Sequence, residues 1–246
     1  MRDCWPNRLK LTRQIMWKIS CLVFIFPALC QSNYTRISSK PSSIIFKYLE
    51  GTTGELTLDE CGKDQVCNVV HRRFWMPNLA ERLCRCPNGE ECPWSEETDN
   101  SSIVLNNRSI LKFCQPITEK QLCKPRQIAA VVRGVINDEN THMIPQNVTV
   151  NCICPSTHYW RLKKYEFDEN QLYQAYKCSQ QRICYSYEFC GFVRPDFYSI
   201  YYRCSCPKGN LCITEYKESD QVQEFMYLGI AYKAHCDPWN KTSRIY

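Results

Sequence analysis

The chain has 246 residues and a formal net charge of +6 at neutral pH, and 19 of its residues are cysteines. A cysteine content of this order marks a protein whose fold is stabilised by disulfides. With only 8 glycines and 13 prolines, the composition excludes a collagen-like chain and argues against a disordered one.

Residues 1–30 are predicted to be a secretory signal peptide. A basic start at Lys18 precedes the apolar run Ile19–Leu29, which at about eleven residues is too short to span a bilayer. Ala28-Leu29-Cys30 has the small residues of a cleavage site. Cleavage there removes Cys4, Cys21 and Cys30 and leaves 16 of the 19 cysteines, an even number. We therefore expect a secreted, extracellular protein without free thiols.

The charge that remains after cleavage is small. The segment carries five of the 31 basic and one of the 25 acidic residues, so the net charge falls to about +2. A nucleic-acid-binding protein needs a basic stripe, and this chain has none. No second apolar run of about twenty residues follows, so the sequence predicts no transmembrane span.

Residues 31–58 are predicted to be an N-terminal leader. The polar stretch Ser38–Ser43 favours a flexible segment. Ile44–Leu49 has the composition of a strand, so a strand at a sheet edge is an alternative, and a propeptide is another.

A short turn organises the rest of the chain and occurs three times, at Cys84–Gly89, Cys152–Thr157 and Cys204–Gly209. Each copy reads Cys-x-Cys-Pro. In an extended strand the two thiols point to one face and cannot easily bond each other, so each must reach another segment. The proline ends the strand and begins a turn. The repeat predicts a small disulfide-rich, mostly β fold.

This fold would consist of three tandem modules, each built on a Cys-x-Cys-Pro strand-turn. Their predicted bounds are residues 59–118, 119–181 and 182–246. The disulfide cysteines, module by module, are Cys61, Cys67, Cys84, Cys86, Cys92 and Cys114; Cys123, Cys152, Cys154 and Cys178; and Cys184, Cys190, Cys204, Cys206, Cys212 and Cys236.

In the first and third modules a leading pair of cysteines precedes the turn, and another cysteine lies six residues after the second cysteine of the turn. The middle module lacks one cysteine of the leading pair and the one after the turn. Their joint absence predicts that Cys67 pairs with Cys92 and Cys190 with Cys212. If Cys123 instead matches the second leading cysteine, the missing bond joins the first leading cysteine to the one after the turn. The pairing of the other four cysteines in each module stays open.

Further strands are predicted from apolar and alternating stretches, and a polar loop over residues 95–102. The predicted strands are 68–74, 82–86, 109–114, 127–136 and 146–152. Five Asn-x-Ser/Thr sequons are glycosylation candidates in a secreted protein, at Asn33, Asn100, Asn107, Asn147 and Asn240.

Aromatic residues crowd between Tyr159 and Tyr202. Tyrosine and tryptophan are favoured in protein-binding surfaces and also in strands. We interpret most of them as core and sheet residues and some as a recognition patch, with Tyr198, Tyr201 and Tyr202 as the binding candidates.

No catalytic motif is recognisable. The four histidines are scattered singly, and neither a Gly-x-Ser-x-Gly nor a phosphate-binding glycine loop occurs. Secretion and the even cysteine count favour disulfides over zinc. The sequence predicts a binding protein with no catalytic residue, no metal and no cofactor.

The signal peptide, the sixteen remaining cysteines and the Cys-x-Cys-Pro-x-Gly-x-x-Cys turns resemble the family-11 scoloptoxins, cysteine-rich proteins of centipede venom. The resemblance covers Cys61–Cys236. In the middle module, Ser156–Trp160 replaces the glycine and the cysteine, so a site located there in a relative does not carry over. The chain is also similar to Argos-type secreted antagonists.

The two resemblances imply different partners. The first implies a venom toxin whose target is an ion channel, notably a voltage-gated potassium channel. The second implies a secreted antagonist that sequesters a growth factor of the epidermal-growth-factor type. Both imply an extracellular protein target.

Overall fold

The computed structural model describes residues 44–49, 54–74, 76–118, 120–137, 142–215 and 218–239. The expected signal peptide, most of the expected leader, Asn33 and Asn240 lie outside this part of the chain. The described residues form sixteen β-strands and two short 3-10 turns, Glu55–Thr57 and Pro87–Gly89. They include no helix long and apolar enough to cross a bilayer. The predicted mostly β, disulfide-rich fold is confirmed.

The first sheet has five strands in the order β1-β3-β2-β5-β4. Their bounds are β1 Ile44–Tyr48, β2 Val66–His71, β3 Asn78–Arg82, β4 Ser102–Val104 and β5 Ser109–Phe113. β1 pairs in parallel with β3 at the sheet edge. Residues Ile44–Tyr48 therefore form a strand at a sheet edge, as one of the two alternatives predicted, and are not a flexible segment.

The second sheet is antiparallel, with four strands in the order β7-β6-β9-β8. Their bounds are β6 Ile128–Ile136, β7 Met143–Val150, β8 His158–Asp168 and β9 Gln171–Gln180. β6 alternates between buried and more exposed positions along most of its length, the pattern of a strand with one face on the core.

The third sheet has the order β12-β11-β16-β14, with β15 also pairing with β16, and β10 and β13 form a small parallel pair. The bounds are β10 Arg182–Ile183, β11 Phe189–Val193, β12 Ile200–Tyr202, β13 Cys204–Ser205, β14 Asn210–Ile213, β15 Ser219–Glu224 and β16 Tyr227–Pro238.

The three sheets share one central arrangement, β3-β2-β5, β7-β6-β9 and β12-β11-β16. In each, the register between the middle strand and the last strand shifts at one residue, namely Cys67, Ala129 or Cys190. Each of these residues lies six positions after the first leading cysteine of its segment. We propose that the three segments, residues 59–118, 119–181 and 182–246, are copies of one module.

The sixteen cysteines of the described residues form eight disulfides. They are Cys61–Cys84, Cys67–Cys92, Cys86–Cys114, Cys123–Cys152, Cys154–Cys178, Cys184–Cys204, Cys190–Cys212 and Cys206–Cys236. Cys67–Cys92 and Cys190–Cys212 are the two pairs that the repeat predicts. In every module the first leading cysteine bonds the first turn cysteine, and the second turn cysteine bonds the last.

The Cys-x-Cys segments are extended, but they pair less than predicted. Arg85 and Ile153 each make a single parallel bridge, to Glu60 and Leu122, and only β13 forms a two-residue ladder with β10. The strand predicted over residues 82–86 is therefore wrong beyond Arg82, because after Arg82 only Arg85 makes a β-bridge before the turn at Pro87–Gly89 begins.

The main hydrophobic core lies where the three modules meet. It combines side chains from each of them, including Val66, Leu111, Val132, Tyr176, Phe225 and Met226. The disulfides of the first and third modules form smaller satellite clusters. Burial between modules therefore supplements the disulfides within them.

Candidate functional site

A cleft of about 290 Å³ opens where the three modules meet. Each module contributes to its lining, including Leu105 from the first, Tyr159 and Trp160 from the second, and Tyr202 and Arg203 from the third. Clefts between structural units that combine aromatic side chains with a few polar groups are common binding sites.

The cleft lies at the place where the middle module departs from the other two. Trp160 is aligned with Cys178 across β8 and β9, just as Cys212 is aligned with Cys236 across β14 and β16. The tryptophan therefore occupies the position of the cysteine after the turn. Ala129, which is fully buried, occupies the position of the second leading cysteine.

In the middle module, Ala129 and Trp160 thus stand where the other two modules have a disulfide. In the third module the strand after the turn is β14, which has four residues and is bonded to β11 through Cys190–Cys212. In the middle module β8 has eleven residues and no disulfide at Trp160. The replacement brings an aromatic side chain and the start of a long strand to the cleft.

Trp160 is held by aromatic packing against the third module. Its ring meets Phe225 edge to face at a centroid distance of 4.5 Å, and Tyr176 meets the same phenylalanine at 4.9 Å. The Tyr176 hydroxyl donates to Gln174 at 2.9 Å, and burial raises the pKa of Tyr176 well above its usual value. The wall of the cleft is therefore preorganised.

The polar part of the cleft is the ion pair between Arg203 and Glu224. The Arg203 Nη1 group donates to Glu224 Oε2 at 3.3 Å, and Nη2 donates to Oε1. Burial raises the pKa of Glu224, and Arg203 partly offsets that rise. Because Glu224 is buried and Arg203 is partly exposed, the guanidinium is the charged group that a ligand would meet.

The structure separates the three candidate tyrosines. Tyr201 is only 8% exposed and donates to the Phe225 carbonyl at 3.2 Å. Burial raises its pKa to about 12, although Arg194 opposes the rise. Tyr201 is thus a core residue. Tyr201 and Tyr202 both line the cleft, and Tyr202 has the larger exposed fraction. Tyr198 is exposed and is not among the lining residues.

The rest of the aromatic segment also divides between core and surface. Phe197 is buried, while Tyr165, Phe167, Tyr185 and Tyr187 are exposed. Sequence spacing does not distinguish the two groups, because burial depends on which strands meet in the folded chain.

Three sequons lie in the described residues. Asn100 and Asn107 are exposed and Asn147 is half-buried. The Asn107 side-chain oxygen accepts a hydrogen bond from the Ile200 backbone at 2.9 Å, which links the first module to the third. Glycosylation of these residues stays a prediction.

The sequence shows the histidines as isolated, but the fold places His71 between a serine and a carboxylate. Its Nδ1 lies 2.9 Å from Ser109 Oγ and its Nε2 lies 3.2 Å from Glu81 Oε2. Burial alone would raise the pKa of Glu81, but His71 and Lys47 lower it to about 2. Nothing in the local sequence brings these residues together.

This Ser-His-Glu arrangement is closed to substrates in this structure. Ser109 is buried within β5, and Phe197 of the third module stacks on the His71 ring at 4.2 Å. A nucleophilic hydroxyl must meet its substrate, so the arrangement serves as a buried polar network within the first module, on which Phe197 of the third module stacks.

The fold and the eight disulfides define a disulfide-rich, mostly β protein. No protein-family model matches the chain. A curated relative, U-scoloptoxin(11)-Sm7a of Scolopendra morsitans, is 31% identical over 160 residues, which are 61% of this chain and 71% of the relative. The chain therefore belongs to the scoloptoxin(11) family.

Further similarities are more distant but longer. Kappa-scoloptoxin(11)-Ssd1b of Scolopendra dehaani is 22% identical over 81% of this chain and 89% of its own length. The crystal structure of unliganded Argos aligns with a TM-score of 0.50 at 23% identity, over 78% of this chain and 96% of Argos. At that identity the likeness to Argos shows the fold alone.

Proposed function

We propose that this chain is a secreted, disulfide-stabilised venom toxin that acts by binding an ion channel, of the voltage-gated potassium class, and not by catalysis. Membership in the scoloptoxin(11) family carries the proposal, because the alignment with the 31% identical relative extends over 71% of that relative. The channel class rests on the resemblance to the family.

The geometry of the cleft is suited to binding a segment of a target protein. Tyr159, Trp160 and Tyr202 offer aromatic surface, and Arg203 offers a partly exposed guanidinium. Aromatic and arginine side chains are the residue types that contribute most at protein interfaces. Eight disulfides hold the walls, so little conformational entropy is lost on association.

A second candidate function is the sequestration of a growth factor of the epidermal-growth-factor type. The specific observation in its favour is the fold shared with Argos over 78% of this chain. Here too the expected mode of action is binding by a preformed surface.

The direct test is electrical. We expect the folded, oxidised protein to reduce the current of at least one voltage-gated potassium channel in a panel under voltage clamp. Tyr202→Ala should weaken this inhibition by about tenfold, because the ring lies at the cleft. Tyr185→Ala is the matched control, since Tyr185 is exposed and is not among the cleft-lining residues.

The outcomes separate the two candidates. Binding of an isolated epidermal-growth-factor-like domain together with unaffected channel currents supports sequestration and rejects the channel proposal. If neither response occurs with correctly folded protein, both candidate functions fail. Equal effects of the Tyr202 and Tyr185 substitutions would place the contact surface outside the cleft.

A further inference from the structure

β8 is a long sheet edge with no partner on its outer side among the strands that the structure describes. Among the described strands it pairs only with β9, although it extends over eleven residues. An edge strand presents a row of backbone N–H and C=O groups to any strand that can pair with it.

Two apolar side chains on this edge lie uncovered. Tyr165 and Phe167 are 58% and 49% exposed, whereas Gln174 and Leu172, their partners on β9, are buried. Residues aligned across antiparallel strands lie on one face. Tyr165 and Phe167 therefore lie on the same face of the sheet as the core residues, but at its edge, where no described side chain covers them.

The charges on the opposite face are arranged in order along β8. Arg161 and Lys164 are basic and come first, and Glu166 and Asp168 are acidic and follow. In an antiparallel pair of identical strands the first half of one faces the second half of the other. A strand with this charge order is complementary to itself.

We propose that β8 pairs in antiparallel fashion with β8 of a second copy of this chain, about a twofold axis at Tyr165. The two tyrosines face each other on the core side, and each Lys164 faces Glu166 of the second copy on the outer side. This joins two four-stranded sheets into one of eight strands and leaves neither β8 edge exposed.

The irregularity in β8 extends the match. The register of β8 shifts between Leu162 and Lys164, so one residue is skipped in the ladder. With that skip, Phe167 faces Leu162 of the second copy and Asp168 faces Arg161. Every pair then joins two apolar side chains or two opposite charges.

Lys164 and Glu166 already form an ion pair within the strand, and both side chains are exposed. In the pair of strands, the two lysines and two glutamates form one alternating cluster. Replacing either Lys164 or Glu166 with a residue of the opposite charge gives all four side chains the same charge. Exchanging the charges of both residues restores the alternation. This symmetry provides the test.

Sedimentation equilibrium of the mature protein measures the dimer. We expect a reversible dimer, and we expect Lys164→Glu or Glu166→Lys to raise its dissociation constant by about tenfold or more, since like charges face each other twice. The double variant carrying both substitutions should recover wild-type association. Lys208→Glu, on an exposed turn, controls for net charge.

Three outcomes would overturn the proposal. They are a wild-type protein that is monomeric at every concentration, single variants that associate like the Lys208→Glu control, and a double variant as weak as the single ones. The recovery in the double variant distinguishes strand pairing from an effect of total charge.

Discussion

Replacing Trp160 with alanine is expected to lower the free energy of unfolding by about 3–5 kcal/mol. The indole packs on Phe225 at 4.5 Å and borders the core cluster that all three modules share. Its removal takes away this packing and widens the cleft beside Cys178, its partner on β9, where the Cys154–Cys178 bridge limits how far the neighbouring side chains can collapse. Denaturant unfolding with the disulfides intact measures the loss.

The control for this prediction is another tryptophan. Trp239 is 64% exposed, so Trp239→Ala should change stability by no more than about 0.5 kcal/mol. Similar losses in the two variants would show that Trp160 does not join the modules as described.

Removing the bond between Cys154 and Cys178, by replacing both with alanine, is expected to cost about 3.5 kcal/mol, the chain-entropy effect of a loop of this length. The middle module has two disulfides where its neighbours have three, so this change leaves it with one. β9 then loses its covalent link to the turn that precedes β8, and hydrogen exchange along both strands should accelerate.

A matched control exists in the first module. Cys67–Cys92 closes a separation of 25 residues, against 24 for Cys154–Cys178, so its removal has nearly the same chain-entropy cost but leaves two bridges in place. If exchange along β8 accelerates equally in both variants, the middle module does not depend on its own bridge.

The disulfide scheme is the part of the fold that the sequence predicts best. Covalent pairing must satisfy each copy of a repeat in the same way, so the missing positions of the middle module indicate the Cys67–Cys92 and Cys190–Cys212 bonds. The register shifts at Cys67, Ala129 and Cys190 show that Cys123 matches the first leading cysteine.

The candidate site was less predictable. Tyr201 and Tyr202 are adjacent in sequence and both border the cleft, yet Tyr201 is buried in the core while Tyr202 is half-buried, because alternate residues of a strand face opposite sides. His71, Glu81 and Ser109 meet only because β3 and β5 both pair with β2. Such contacts depend on tertiary pairing, which local sequence does not encode.

The most direct test of the repeated framework is a variant that restores the absent bond. Cys67–Cys92 and Cys190–Cys212 have Cα separations of 6.0 and 5.9 Å, within the range that disulfides require. If Ala129 and Trp160 occupy the equivalent positions, the double variant Ala129→Cys/Trp160→Cys should form a ninth disulfide without disturbing the other eight.

Mass spectrometry of the alkylated, unreduced double variant decides the matter. We expect no alkylated cysteine and a peptide in which the two introduced cysteines are linked to each other. We also expect weakened target binding, because Trp160 is lost from the cleft. Two alkylated thiols, or exchange of either introduced cysteine with a native bridge, would contradict the equivalence of the three modules.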